Sequence, residues 1–507
     1  MIQRLIFPCF SLLVLRSQTL SAQPFLTRNF HVSGPGNERI KDLYLAGGGN
    51  RFVTGLFTDT LNILGDGSLE LYAGGKKDGF LARYSRDGDL TWLRQLQSSG
   101  DVVPQTMSVD QLGMLWIAGY YEDTLRALSP SGATLTEVST TLGQPELFVA
   151  RYTPAGNLIF LKSIAGTFPG QRNMGISLDR DTAYLCSSFS RLDHDDDPAT
   201  SWIEVPEEAH AFLMKLNPDG IGQWTRTFGP DSADLGTFKT LALDVEADGF
   251  GRIYVGGAFR GTVDFDPGPD STRIVSSSNV RDDAYLSIWN RKGELGWVRV
   301  MGANRVRSIE SAPGTVFVAG LFEDTAWIQE DTGLVNYVST GGDDLFAIRF
   351  SSEGDWIWTY TAGSTENDFV SDLVVGTDEN LYATGGLNNG ALLGALETAS
   401  GFEIFAYSIL QGDSIGNSSE ADCIDLDATG EVVLGAFYRD QVDLDPGQDT
   451  LTLPYSQRRD LVVAAFHPRC NPYVVPDPYS PQYPSLSACS AELSGHCATT
   501  SNSLFLH

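Results

Sequence analysis

The chain of 507 residues carries 34 basic and 64 acidic side chains, a formal charge of −30 at neutral pH. That balance excludes a nucleic-acid binder, because a phosphate backbone is met by runs of Lys and Arg that this sequence lacks, and 42% hydrophobic residues exclude an intrinsically disordered chain. The length exceeds one ordinary core and asks for several domains or a repeat array, while 53 glycines and only six histidines point to many turns and away from His-based chemistry.

The first segment reads as an export signal. Arg4 supplies a positive n-region, Leu5 to Leu15 an apolar h-region, and Ser17-Gln18-Thr19-Leu20-Ser21-Ala22 small residues for cleavage before Gln23. Residues 1–22 are expected to be a signal peptide and the mature protein to be secreted or held at the cell surface. The apolar run is about eleven residues against the ~20 that a membrane-spanning helix needs, so no transmembrane segment is expected.

Self-similarity dominates the remainder of the chain. A strand ending in Gly, any residue, then an aromatic appears as Phe52 to Phe57, Trp116 to Tyr121, Tyr254 to Phe259, Phe317 to Phe322 and Val432 to Phe437. Two copies have drifted: Tyr184 to Phe189 carries Ser187 for the Gly, and Tyr382 to Leu387 keeps Gly385 without the aromatic. These marks lie roughly 50 to 70 residues apart, a spacing that means an array of supersecondary units. A second mark pairs a turn Gly with an aromatic four residues on: Gly88 and Trp92, Gly156 and Phe160, Gly220 and Trp224, Gly293 and Trp297, Gly354 and Trp358, Gly401 and Phe405. Turns of this kind between alternating strands are hairpin chemistry.

Each unit therefore reads as four antiparallel strands, a to d, with a long excursion between b and c. Period-2 alternation excludes a helical solenoid. Residues 23–468 are expected to form an all-β, seven-bladed β-propeller of four-stranded antiparallel blades. The seventh unit stops at strand c, Leu461 to His467, and Phe25 to Phe30 resembles the missing strand d, so an N-terminal strand should close the last blade and protect its edge. Residues 469–507 are expected to be a weakly ordered tail containing Pro, Ser and Cys. Cys470, Cys489 and Cys497 permit one disulfide there and leave one thiol over. Cys186 and Cys423, on strands of different units, read as small buried apolar residues.

Units such as Asp283-Ala284-Tyr285, Gly293 to Trp297, Tyr254 to Phe259 and Val263-Asp264-Phe265-Asp266-Pro267-Gly268 resemble the bacterial β-propeller repeat called SBBP, across roughly residues 24 to 468. The resemblance implies a propeller and export, and it implies no particular reaction.

Candidate chemistry is acidic. Asp264, Asp266 and Asp270 surround Pro267-Gly268, and Asp443, Asp445 and Asp449 surround Pro446-Gly447. Carboxylates about a Gly turn can offer several oxygens to Ca²⁺, which takes six to eight hard ligands; the competing and preferred reading is an Asx-turn capping backbone N–H groups. Asp193-His194-Asp195-Asp196-Asp197-Pro198 reads as a solvated loop. Asp78, Glu146, Asp283, Asp344 and Asp460, with His210 at the third unit's position, precede strand c in successive units. That repetition points to a structural carboxylate bonding the next blade's backbone. Trp92, Trp224, Trp297 and Trp358 read as packing residues, leaving Trp202, Trp289, Trp327 and Trp356 as surface candidates. Nucleophile elbows, phosphate loops and paired Cys motifs are absent from the sequence.

The leading expectation is a secreted, non-catalytic binding or cell-surface scaffold, monomeric, with an unknown protein or carbohydrate ligand. The alternative is an extracellular hydrolase or lyase acting on glycans or peptides through axial-channel carboxylates. Two carboxylates of unlike environment in a deep axial pocket, outside the repeat pattern, would favour the alternative.

Overall fold

The computed structural model describes residues 24–467, apart from 33, 65–68, 142, 169–173, 194–201, 206–209, 231–238, 267–270, 279, 413–418 and 446–450. The expected signal peptide, the Cys-containing tail, Asp270, Asp449 and the run from His194 to Pro198 lie outside the described residues. Nearly every other segment is extended, and the strands run antiparallel within each sheet. Inner strands Glu38–Ala46, Val102–Val109, Gly175–Asp179, Lys239–Ala247, Arg305–Ala312, Phe369–Val375 and Glu420–Leu426 stand side by side around a central axis, and their sheets radiate outward. This is a β-propeller. No helix among the described residues is long and apolar enough to cross a membrane.

The seven-bladed expectation is corrected by the sheets themselves. Eight sheets of three or more strands form, not seven, with two further two-stranded ribbons. Nor are they uniformly four-stranded: two have six strands and one has three. The reason lies in the b–c excursions, which the sequence presents as loops. They fold as hairpins on the outer strand of the preceding unit. Thr124–Leu128 and Thr134–Ser139 extend the sheet of Leu90–Gln97, and Thr262–Asp264 with Arg273–Val275 extend that of Gly222–Pro230. Arg191–Asp193 and Trp202–Glu204 join Gly166–Thr167 as a separate three-stranded sheet. Each hairpin covers backbone N–H and C=O groups that an open edge would leave unpaired.

The first and last described strands meet as expected. Phe25–Val32 is the outermost strand of the last sheet, antiparallel to Ser456–His467, with Phe25 opposite His467 and Val32 opposite Leu461. Thr27 Oγ1 donates to Glu431 Oε1 at 2.5 Å and to the Ala465 carbonyl at 2.9 Å, pinning that strand.

The repeated marks are two halves of contacts between units. Each turn Gly has positive φ and lies against the aromatic of the preceding unit: Gly156 on Trp92, Gly293 on Trp224, Gly401 on Trp358. A side chain there would enter the indole ring. The indole N–H of Trp92 donates to the Pro154 carbonyl at 3.1 Å, and those of Trp224 and Trp358 bond to Arg291 and Thr398 in the same way. Two residues beyond the Trp, an Arg stacks on its ring and donates to the turn Gly carbonyl. Arg94 reaches Gly156 at 2.6 Å, Arg226 reaches Gly293 at 2.9 Å and Arg299 reaches Gly354 at 2.6 Å.

Removing residues 23–32 takes away the closing strand and bares Ser456–His467. The truncated chain should melt at least about 10 °C lower than the mature chain or aggregate, since a bared edge recruits other chains. Equal melting temperatures by calorimetry would refute the closing role.

Candidate functional site in the axial channel

The Gly of the strand b mark decides what faces the axis. Gly55, Gly119, Gly257, Gly320 and Gly385 lie against backbone carbonyls of strand a, of Arg39, Val103, Leu241, Arg305 and Phe369, well inside the space a Cβ would need. At each of these places strand a carries a bulge, with one residue unmatched by the partner strand. A bulge re-aims its extra side chain. The unmatched residues are Lys41, Gln105, Leu243, Arg307 and Ser371, joined by Asp422 from the last sheet, and all six line one axial cavity of about 380 Å³. Where Ser187 replaces the Gly, the paired residues of Gly175–Asp179 show no bulge.

In four of the six bulged units the residue after the bulge ties one inner strand to the next. Asp42 Oδ2 accepts the Met107 N–H at 2.6 Å, Asp244 Oδ2 that of Ile309 at 2.8 Å, and Asp372 Oδ2 that of Ile424 at 2.9 Å. Ser308 Oγ accepts the Leu373 N–H at 3.1 Å in the same way. A second tier lies two residues further along. There Asp425 Oδ2 accepts from Leu45 at 2.6 Å, Glu310 Oε1 from Val375 at 3.1 Å, and Glu246 from the hydroxyls of Ser177 and Ser311. Asp42, Asp244 and Asp372 line the cavity, and all six carboxylates are mostly buried. Burial pushes Asp372 up to about 6 and Glu246 and Asp425 up to about 7, and it carries Asp42, Asp244 and Glu310 well above the usual carboxylate range.

Asp422 is the exception. Arg39 grips it with two hydrogen bonds, Nε to Oδ2 at 2.6 Å and Nη2 to Oδ1 at 2.5 Å, and also reaches Glu420 Oε2 at 3.3 Å. Burial opposes ionisation of Asp422, but the Arg39 and Lys41 charges outweigh it and hold the carboxyl below its ordinary value. Asp422 and Asp372 thus have unlike environments in one cavity, as an acid–base pair requires. Their oxygens are nonetheless occupied: both of Asp422 by Arg39, and those of Asp372 by the N–H groups of Leu373 and Ile424 and the Ser308 hydroxyl.

The acidic residues singled out from the sequence lie elsewhere. Asp264 Oδ1 accepts the N–H groups of Asp266 at 3.1 Å and Thr272 at 2.9 Å; Asp443 Oδ1 accepts those of Asp445 at 3.0 Å and Leu451 at 2.9 Å. Both are caps of their own turns, and no group of three or more His, Cys, Asp or Glu placed to hold a metal is found among the described residues. Asp78, Glu146, Asp283 and Asp344 are buried and bond within their own units, and Asp460 is buried too. Asp78 accepts from the Gly74 N–H at 2.9 Å and Gln95 Nε2 at 2.7 Å, Glu146 from Thr141 and Ser163, Asp283 from Ser277, Asp344 from Thr340. They fasten the returning excursion to strand c. His210, at the matching position, is pushed by burial down to about 4 and stays neutral. Cys186 and Cys423 are free and buried. Trp289 is 1% exposed, so it is core and not a surface candidate.

No family model matches the chain. Two curated relatives resemble it: the uncharacterized WD repeat-containing protein L264 of Acanthamoeba polyphaga mimivirus, 23% identical over 50% of this chain, and the regulatory protein FlaEY of Caulobacter vibrioides, 24% identical over 59%. The matched regions span only 22% and 33% of those relatives. Among solved structures, BamB from Moraxella catarrhalis aligns over 88% of this chain and 99% of its own, with 11% identity and a TM-score of 0.42. Virginiamycin B lyase from Staphylococcus aureus aligns over 87% and 98%, with 9% identity and a TM-score of 0.39.

The raised carboxyls give a pH dependence of defined sign. Their folded pKa values exceed the ~4 of unfolded carboxyls, so the native state binds more protons between about pH 4 and pH 7. The stability they contribute is complete below the unfolded value and is lost as pH rises through about 7. The melting temperature should therefore fall from about pH 5 to pH 8, and the fall should be shallower in Asp372→Asn and Asp425→Asn, which keep an acceptor oxygen. A parallel fall in wild type and both variants would refute the assignment.

Proposed function

We propose that this protein is an exported, non-catalytic propeller that binds its ligand at the axial channel and the surrounding rim. The observation that carries this reading is the occupancy of the channel carboxylates. Asp42, Asp244 and Asp372 accept from the backbone of the adjoining inner strand and Asp422 from Arg39, so these carboxylates serve as ties in the channel wall. A hydrolase using them would have to break the ties between its own inner strands. Export is supported by the n-region, h-region and cleavage pattern of residues 1–22 and by the resemblance of the repeat to the SBBP type. Edman sequencing of protein recovered from the medium or cell surface of an expressing bacterium should begin at Gln23; a start at Met1 would refute export by cleavage.

The binding role is tested by incubating residues 23–507 with glycan and peptide arrays, with mass spectrometry of the retained ligands. At least one ligand class should be retained with its mass unchanged. New reducing ends, unsaturated sugars or cleaved peptides would overturn the non-catalytic reading, and absence of any retained ligand would overturn the binding role.

A further inference from the structure

We propose that the mouth of the axial channel is an oxyanion site, which takes a small ligand carrying a phosphate, sulfate or carboxylate group. The proposal rests on the reading of the protein as a binder and names the chemistry of what it binds. In a chain of net charge −30, Arg39 and Lys41, Arg305 and Arg307, Arg439 and Arg459 come from four strands of three sheets: Glu38–Ala46, Arg305–Ala312, Val432–Asp440 and Ser456–His467. Arg39, Lys41 and Arg307 line the cavity itself. Arg305 lies within electrostatic reach of Arg307, and Arg439 and Arg39 within that of Arg459. Like charges gathered in this way repel unless an anion joins them.

Acids lie near the mouth as well: Asp42, Asp244, Asp372 and Asp422 line the same cavity, and Glu420 and Asp422 offset part of the repulsion on Arg307 and Arg459. Glu420 and Asp422 are both held by Arg39. Asp343 lies within electrostatic reach of Arg305, Arg307 and Glu323 and accepts from Asn304 Nδ2 at 3.3 Å. Among the described residues, no carboxylate comes within ion-pair distance of Lys41, Arg305, Arg307, Arg439 or Arg459. Aromatic faces hold the guanidinia in its place: Arg39 and Arg459 share the ring of Phe437 at 4.8 and 4.5 Å, and Arg307 lies over Phe369 at 4.6 Å. A stacked guanidinium keeps its N–H edge directed outward in a fixed fork, the geometry that pairs with an oxyanion.

The Nε atoms of Arg305, Arg439 and Arg459 are buried and make no hydrogen bond, as is true of those of Arg83, Arg151 and Arg191 elsewhere in the molecule. Burial and then the neighbouring cations pull Arg307 and Arg459 below the ordinary guanidinium range, a penalty that a bound anion would relieve. Ser371 and Gln105 line the same cavity and offer neutral hydrogen-bonding groups beside the charged ones. Its volume of about 380 Å³ falls at the small end of the ~300–1,000 Å³ range of small-molecule sites.

The test is titration calorimetry of residues 23–507 in low-salt buffer with inorganic sulfate, inorganic phosphate, glucuronate and glucose 6-phosphate, and with glucose as the neutral control. At least one oxyanion probe should bind with a stoichiometry of one, weaken about tenfold or more in both Lys41→Gln and Arg307→Gln, and weaken again as salt is raised. Melting curves establish that the two variants remain folded. Tighter binding of glucose 6-phosphate or glucuronate than of the bare ions supports an anion carried on a sugar; equal or weaker binding supports the free ion. Failure of every oxyanion to bind, or affinities unchanged in both folded variants, would overturn the site. A ligand retained on the arrays equally by wild type and both variants would sink the oxyanion site and leave the binding role standing. Cleavage of a ligand would sink the non-catalytic reading alone.

Discussion

One steric conflict recurs through this molecule. Where strand a bulges, a backbone carbonyl turns into the space that a Cβ on strand b would fill, and Gly at positions 55, 119, 257, 320 and 385 leaves that space open, while the last sheet makes its bulge opposite Ala436. The residue released from the ladder faces the axis, and its neighbour reaches the backbone of the adjoining strand. The character of the channel is thus set by a backbone irregularity, with side-chain identity free to vary from unit to unit. Lys41, Gln105, Leu243, Arg307, Ser371 and Asp422 share a structural role and almost no chemistry.

The variation is confined because the tier behind it keeps one role from unit to unit. Asp, Ser and Glu side chains bond across six of the seven seams among the described residues, so most inner strands are laced to their neighbours. A carboxylate here is unusual in being both a structural tie and a group destabilised by its own burial. Replacing such a carboxylate by a neutral acceptor keeps the tie and removes the charge. The cations at the mouth have no comparable structural duty, apart from Arg39, which spans from the first unit to Asp422 in the last.

Much of the fold is legible in the chain. The Gly-x-aromatic strand and the turn Gly with its later aromatic locate strands b, c and d, and Phe25 to Phe30 announces the closing strand. The hairpins in the b–c excursions are not legible, because strands of three residues such as Arg191–Asp193 and Trp202–Glu204 are too short to show a period; they turn the sheet count from seven to eight. One mark also slips in register. In the last unit Ala436, not Gly435, stands opposite the residue before the bulge, so the visible Gly is one place from the structural one. The mouth is hidden for a different reason: Arg39 and Asp422 lie 383 residues apart, and no local stretch concentrates positive charge. Only closure of the ring assembles it.

The clasp of each Trp and Arg on the turn Gly of the next unit has a consequence for how the protein is made. During synthesis a unit emerges with its outer aromatic uncovered, and that ring stays solvated until the next turn is translated. The final clasp is different in kind. The last sheet needs Phe25–Val32, which is made before every other described strand and finds its place last. That strand must therefore remain unpaired through the synthesis of some four hundred residues, and its edge is open for longer than any other in the molecule.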